Sequence, residues 1–209
     1  MYKAFYYHEE MNGSRPTMKL RICSLSELRP VFNYITRCFG SDVSSFINKE
    51  YTVFTTVGSR FQYRVFLLDK SCTSTLAKLA RDSRVCGAGI LIGWLHNNDF
   101  IPSTQLFDFI RRMGHRIGCS IIAKEQGVKA FLYGNDLLLA SLEKVLEPAE
   151  RGWYVAVLDS LDMVAIGIGK LLVSPQEIPM LIREGRMLVP VVKNVFDLGT
   201  TVRYEEIFY

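Results

Sequence analysis

A short stretch near the middle of the chain, residues 128–136, does most to limit how the sequence can fold. Apolar and aromatic residues are followed there by Gly134 and Asn135. Glycine adopts a positive φ without steric penalty, and Asn135 or Asp136 can cap a helix that begins after them. The stretch therefore predicts that one element ends here and that a Leu-rich helix follows over residues 136–146.

The length and composition of the chain are those of a folded protein. Its 209 residues suffice for one large domain or two smaller ones. Apolar residues make up 49% of the sequence and charged residues 22%, which supports a core and excludes a disordered chain. No apolar run approaches the ~20 residues of a membrane span, and the N-terminus lacks a secretory-signal pattern. We therefore expect a cytoplasmic protein that does not bind membranes.

Five cysteines are spread along the chain without a Cys-x-x-Cys pair. This spacing supports neither a zinc knuckle nor a thioredoxin-type redox pair. Free cysteine is among the most buried residue types. We therefore expect five reduced, mostly buried thiols, at Cys23, Cys38, Cys72, Cys86 and Cys119.

Positive charge is concentrated in the first half of the chain. Residues 1–127 carry 17 Lys and Arg against 10 Asp and Glu, whereas residues 128–209 carry 8 against 11. The densest cluster, Arg111, Arg112 and Arg116, lies at the end of a predicted helix. Such a cluster either complements the helix dipole and pairs with the acidic second half, or contacts nucleic-acid phosphates. The sequence favours neither interpretation over the other.

The apolar pattern predicts two halves of different construction after a tail at residues 1–17. Residues 18–126 combine helices with β-rich runs, including a hairpin that turns at Gly58. Residues 127–209 combine one helix with short strands and tight turns, which indicates a small closed barrel. The predicted fold class is α+β: an N-terminal α/β domain with a mainly antiparallel sheet and flanking helices, then a β-barrel-like domain.

Periodicity and capping residues give the expected elements of each half. Helices are predicted over residues 24–40, 69–82 and 104–113, with a turn or short helix over 41–50. Ser71 or Asp69 is the expected cap of the second helix, in which Leu79 faces inward, and Ser103 is the expected cap of the third. Strands are predicted over residues 51–57, 61–68, 86–94 and 119–123 in the first half, and over 153–158, 163–173, 187–192 and 198–207 in the second.

No motif in the sequence indicates catalysis or metal binding. Gly87-x-Gly89 begins like a nucleotide-binding loop, but no third glycine follows and a strand comes next, which favours a close backbone approach. The three histidines lack metal-site spacing to acids or cysteines. Asp159 and Asp162 flank a predicted turn, where short acidic side chains usually serve turn geometry. We expect no enzymatic activity, no cofactor and no metal.

Three segments in the second half form an ordered set. They are Phe131-Leu-Tyr-Gly-Asn135, Val164-Ala-Ile-Gly167-Ile-Gly169 and Asp197-Leu-Gly199-Thr-Thr-Val202-Arg203-Tyr-Glu205. In this order they resemble the Nip-seven family of archaeal and eukaryotic large-subunit assembly factors. Ala165 stands where that family usually has proline, and residues 174–190 form a longer loop than the family's. The absence of a eukaryotic-type basic hairpin at residues 96–100 favours an archaeal-type member.

The resemblance implies a C-terminal PUA domain (pseudouridine synthase and archaeosine transglycosylase), an RNA-binding pseudo-barrel. It also implies a non-enzymatic role in pre-rRNA processing and assembly of the large ribosomal subunit. The partners would be single-stranded regions of pre-rRNA, the pre-ribosomal particle and assembly proteins. We expect a monomer, cytoplasmic or, in a eukaryote, nucleolar.

Basic residues of both halves are the candidate RNA contacts. Phosphate contacts position a protein on RNA, while unpaired bases supply specificity; Tyr204 is a candidate stacking residue, although core packing is the stronger expectation. The candidate phosphate contacts are Lys170, Arg183, Arg186, Lys193 and Arg203 on the barrel, and Arg111, Arg112 and Arg116 at the domain junction. Two alternatives stay open: a PUA-containing RNA-modifying enzyme, and a protein-interaction module, which the acidic second half favours.

Overall fold

The computed structural model describes residues 19–22, 26–57, 63–82 and 87–203, so the predicted tail and the turn at Gly58 lie outside the described residues. The strands are β1 (Lys19–Ile22), β2 (Tyr51–Val57), β3 (Tyr63–Asp69), β4 (Ile90–His96), β5 (Asp99–Pro102), β6 (Ser120–Ala123), β7 (Leu137–Leu138), β8 (Leu142–Leu146), β9 (Tyr154–Asp159), β10 (Ala165–Leu171) and β11 (Pro190–Asp197). The α-helices are α1 (Arg29–Phe39), α2 (Ser41–Glu50), α3 (Thr73–Asp82), α4 (Thr104–Arg112), α5 (Glu125–Leu132), α6 (Ile178–Arg183) and α7 (Thr200–Arg203). Short 3-10 helices cover Lys70–Cys72, Leu139–Ser141 and Pro175–Glu177.

The strands form two sheets. The first is antiparallel throughout, in the order β1-β2-β3-β4-β5. The second has the order β7-β11-β10-β9-β6-β8, and it is antiparallel except where β6 pairs with β9. The second sheet curls into a barrel-like domain. The predicted α+β class, with a mainly antiparallel first half and a barrel-like second half, is confirmed.

Local signals in the first half act as the sequence predicts. The Asp69 side chain accepts a hydrogen bond from the Ser71 amide at 2.8 Å, and the Ser103 hydroxyl caps α4 by accepting from the Leu106 amide at 3.3 Å. Strands β2 and β3 pair along their whole length as the expected hairpin. Gly40, with φ of 103°, ends α1. Residues 41–50, expected as a turn or short helix, form the ten-residue helix α2.

A single apolar core runs through both halves. Helices α1, α2 and α4 bury Val31, Ile35, Ile47 and Phe107 together with residues of the first sheet, and this cluster continues into the second sheet. Helix α4 also contacts strand β10. The Tyr34 hydroxyl of α1 donates to the Tyr154 carbonyl at 2.9 Å. Strands β9 and β10 therefore lie beside helices of the first half.

The prediction of a Leu-rich helix over residues 136–146 is wrong. This segment forms β7, a 3-10 turn and β8, because Leu137 and Leu139 are buried and β7 pairs with β11. Leucine favours helices by propensity, but burial in tertiary contacts overrides that preference here. The Asp136 carboxylate does not cap a helix; it accepts a hydrogen bond from the Asn194 amide at 2.8 Å.

Three further expectations need correction. Strand β6, expected to close the first half, lies in the second sheet between β8 and β9, where its four buried residues find partners. The division at residue 126 itself stays a prediction. The strand expected over 198–207 is replaced at its start by helix α7, and Tyr204 lies outside the described residues. Leu79, expected to face inward, is exposed. Within the described ranges, no helix is long and apolar enough to span a bilayer.

A disulfide bond joins Cys38 in α1 to Cys119, immediately before β6. The expectation of reduced thiols is therefore wrong for this pair, and Cys72 is exposed instead of buried. The error has a physical cause: the pairing depends on the packing of α1 against the second sheet, which sequence spacing does not encode. Cys23 and Cys86 lie outside the described residues.

Breaking this disulfide should destabilise the protein substantially. The two cysteines are 81 residues apart, and a cross-link closing a loop of that length stabilises a fold by about 4 kcal/mol in the chain-entropy account. We expect Cys38→Ser/Cys119→Ser to lose a free energy of unfolding of this order in urea titrations. Cys72→Ser is the matched control and should unfold like the wild type. Equal stability of the double variant and the wild type under oxidising conditions would contradict this assignment.

Candidate nucleic-acid interface

Three neighbouring strands carry a row of two lysines and a tyrosine, which we call the basic row. Lys170 of β10 lies directly opposite Lys193 of β11 on one side and Tyr154 of β9 on the other. Both lysines are exposed, and Lys170 Nζ is 5.6 Å from the centroid of the Tyr154 ring. Like charges placed directly opposite each other destabilise a sheet. The row therefore places two cations and an aromatic ring on adjacent strands of the second sheet.

The glycines of β10 bring this row together. A Cβ on Gly169 would overlap Val192, and one on Gly167 would lie 2.7 Å from the Phe131 ring. Strands β10 and β11 can therefore approach closely only with glycine at these positions. The apolar-Gly-apolar-Gly pattern thus serves the packing of β10. The close pairing of β10 with β11 that it permits places Lys170 beside Lys193.

Helix α1 adds a cation that sequence reasoning missed. The guanidinium carbon of Arg37 is 3.8 Å from the Trp153 ring centroid and 5.5 Å from that of Tyr34. Burial raises the pKa of the Tyr34 phenol, so its hydroxyl stays protonated and donates to the Tyr154 carbonyl. No local pattern pairs Arg37 with Trp153, because the contact exists only once α1 packs beside β9.

Arg203, a predicted RNA contact, takes part in a network of hydrogen bonds with neighbouring residues. Its guanidinium donates to both carboxylate oxygens of Asp197, at 3.0 and 2.9 Å, and also to the Leu132 carbonyl. The Asn194 side-chain Nδ2 donates to the same carboxylate at 3.2 Å and to the Phe131 carbonyl at 2.8 Å. We call Asn194, Asp197 and Arg203 the C-terminal clamp, since together they hold the end of α5.

The clamp gives Arg203 a structural role. Asp197 has only 2% of its side chain exposed, and Arg203 has 27%. A carboxylate buried this deeply needs a partner, because removing a charge from water costs several kcal/mol. Arg203 therefore stabilises the fold, and its contact with RNA phosphate stays a prediction.

Arg183 and Arg186 lie beyond the edge of the second sheet, in α6 and the turn after it. Both are exposed, and Arg186 pairs with Glu184 at 3.6 Å, an exposed contact of little energetic value. Their segment is anchored by hydrogen bonds from the amides of Leu139 and Ala140. These arginines form a second basic site. It lies on α6 and the following turn, whereas the basic row lies on strands β9, β10 and β11.

Arg111, Arg112 and Arg116 lie at the end of α4 and in the residues that follow. Arg111 pairs with Asp108 at 3.8 Å, and Arg112 is exposed. Arg116 donates a long hydrogen bond, 3.5 Å, to the Glu147 carbonyl in the second half. One residue of this cluster thus bridges the two halves, which agrees with a structural role for part of it.

An open groove of about 300 Å³ lies between α6 and β8. Its lining is largely apolar, with Leu139, Leu142, Ile178 and Met187 among the residues that form it. Within the described ranges, no three His, Cys, Asp or Glu side chains are grouped closely enough to hold a metal ion.

Residues 119–206 match the family model described as the UPF0113 PUA domain. The second half of the chain, with its curled sheet, is therefore a PUA-like domain, as the sequence resemblance implied. The match also begins before residue 126 and so includes β6. No curated protein sequence matches the chain significantly.

Solved archaeal structures share the fold of most of the chain. A hypothetical protein from the hyperthermophilic archaeon Pyrococcus horikoshii OT3 has a TM-score of 0.61 at 14% identity, covering 85% of this chain and 93% of that one. A conserved PUA domain protein from Thermoplasma acidophilum has a TM-score of 0.58 at 13% identity, covering 87% and 95%. A PUA domain from Aeropyrum pernix K1 has a TM-score of 0.53 at 15% identity, and the match covers 87% of this chain and 87% of that one. At these identities the likeness shows the fold alone.

Removing the arginine of the C-terminal clamp should destabilise the protein without a direct effect on ligand contacts. Arg203→Ala leaves the Asp197 carboxylate buried without its main partner, so we expect a loss of about 3 kcal/mol in free energy of unfolding. Arg186→Ala removes the same side chain from an exposed pair and should cost less than about 1 kcal/mol. Urea unfolding of both variants measures the difference. If the Arg203→Ala protein is as stable as the wild type but binds RNA more weakly, Arg203 contacts RNA directly and the structural prediction is wrong.

Proposed function

We propose that this chain is a single-stranded RNA-binding protein whose PUA-like domain contacts RNA phosphates through the basic row. The observation that carries the proposal is the placement of Lys170 and Lys193 side by side on a domain that matches a PUA model. Lysines that neutralise phosphates release counterions, which supplies most of the sequence-independent affinity for nucleic acids.

Tyr154 favours a single strand over a duplex as the ligand. It is half-buried beside Lys170, so part of its ring stays accessible next to a cation. Aromatic rings next to cations are typical of surfaces that bind single strands, where bases stack and phosphates pair. The deep, narrow major groove of an RNA duplex would not present its bases to such a row.

We further propose that the RNA is pre-rRNA and that the protein acts in processing and assembly of the large ribosomal subunit, with the pre-ribosomal particle and its assembly proteins as partners. The support is the ordered resemblance to the Nip-seven family. Its first and third segments contact each other, because the Arg203 guanidinium donates to the Leu132 carbonyl at the end of α5. A shared sequence pattern that also forms one network is better support than three separate matches.

We propose that the protein is not an enzyme. The alternative of an RNA-modifying enzyme needs a catalytic carboxylate or a cofactor loop in the first half. There, Gly87-x-Gly89 leads into strand β4 instead of a helix. A Cβ on Gly89 would overlap the Leu67 carbonyl, so this glycine serves a close backbone approach.

Replacing both lysines of the basic row should weaken RNA binding and reduce its salt dependence. For Lys170→Ala/Lys193→Ala we expect the slope of log affinity against log salt to fall in magnitude by about 1.4, since each phosphate contact on a single strand contributes about 0.7. Fluorescence anisotropy with a labelled oligouridylate at several salt concentrations measures affinity and slope together.

The control must remove the same net charge from another surface. Lys49→Ala/Lys78→Ala does so on α2 and α3 of the first half, and it should leave affinity and slope nearly unchanged. Arg183→Ala/Arg186→Ala tests the second basic site in the same assay. If the basic-row variant keeps the wild-type slope of log affinity against log salt and the arginine variant has a reduced one, the RNA interface lies on α6 and not on the basic row.

The enzyme alternative has a direct test in the intact protein. Isothermal titration with S-adenosylmethionine should give no binding heat for the wild type if the protein only binds RNA. Stoichiometric binding in the micromolar range would overturn the non-enzymatic proposal and indicate a methyl-transfer reaction.

A further inference from the structure

Two consecutive aromatic residues at the start of β9 each have a positively charged side chain close to the ring. Arg37 lies over the Trp153 ring, and Lys170 lies near the Tyr154 ring. The first cation comes from α1, outside the segment that matches the PUA model, and the second comes from that segment. Each half of the chain therefore supplies a cation beside consecutive aromatic residues at the start of β9.

The stacking of Arg37 leaves its hydrogen-bonding edge available. A guanidinium carries five N–H donors in its plane, and stacking on a ring uses its face. Arg37 is exposed, and within the described part of the chain it has no carboxylate partner and no hydrogen bond. A stacked guanidinium with an open edge is pre-organised to bind a phosphate through two parallel hydrogen bonds.

Neighbouring contacts hold Arg37 in place. Tyr34, one helical turn earlier, donates to the Tyr154 carbonyl, and the adjacent residue Cys38 is bonded to Cys119. The end of α1 is thus fixed to the second sheet on both sides of Arg37. Little conformational freedom would be lost when this side chain meets a ligand, which favours binding.

We infer that single-stranded RNA bound by the basic row continues onto α1, where Arg37, positioned by Trp153, contacts a backbone phosphate. This inference rests on the proposed function, since it extends the same surface. It assigns an RNA contact to the first half of the chain, at a residue outside the Arg111, Arg112 and Arg116 cluster. The rival interpretation is that Arg37 only braces α1 against Trp153.

Salt-dependent RNA binding separates the two interpretations. With labelled oligouridylate and the full chain, Arg37→Ala should lower affinity about five- to tenfold, and its salt slope should fall in magnitude by about 0.7. Arg37→Lys keeps the charge and should retain most of the slope. Arg37→Gln keeps a planar group against Trp153 without the charge, so its slope should fall like that of Arg37→Ala. A brace alone predicts a wild-type slope in all three variants.

Arg29→Ala is the matched control, because Arg29 is an exposed arginine at the other end of the same helix. It should bind RNA like the wild type. If Arg37→Gln and Arg37→Ala keep wild-type affinity and slope while the basic-row variant loses both, this inference fails and the proposed function stands. If the basic-row variant also binds like the wild type, the proposed interface itself is wrong.

Discussion

The buried ion pair between Asp197 and Arg203 is the interaction on which the second half of the chain depends. A carboxylate with 2% of its side chain exposed would cost several kcal/mol if it were unpaired. Arg203 donates to both of its oxygens, and Asn194 donates to one. Because both donors also reach carbonyls at the end of α5, one buried charge fixes the helix, β11 and α7 together.

The position of the basic row follows from this clamp, although the two share no residue. Asn194 turns its side chain toward α5, and its neighbour Lys193 must therefore point to the opposite face of β11, since side chains alternate along a strand. The pairing of β11 with β10 then places Lys193 opposite Lys170. Fixing the inner face of β11 thus determines which cations are presented on its outer face.

Local patterns in the sequence predicted the parts of the fold that local chemistry controls. The capping roles of Asp69 and Ser103 and the turn at Gly134, whose φ is 87°, were all available from single short segments. The errors concern contacts between distant segments. The leucines of residues 137–139 indicated a helix, because the strand that pairs with them, β11, lies some fifty residues further along the chain. Local sequence therefore does not reveal that pairing. The Cys38–Cys119 bond and the Arg37–Trp153 contact share that cause.

The acidic balance of the second half is a weaker argument against RNA binding than the charge count suggests. Residues 128–209 contain more acids than bases, and the buried Asp197–Arg203 pair leaves that excess unchanged, because it removes one charge of each sign. Binding depends on the local arrangement of charge and not on its sum over a domain. At the start of β9 that arrangement comprises cations from two strands and one helix, beside two aromatic rings. A surface assembled in this way is locally basic, even though one of the two halves that build it is acidic.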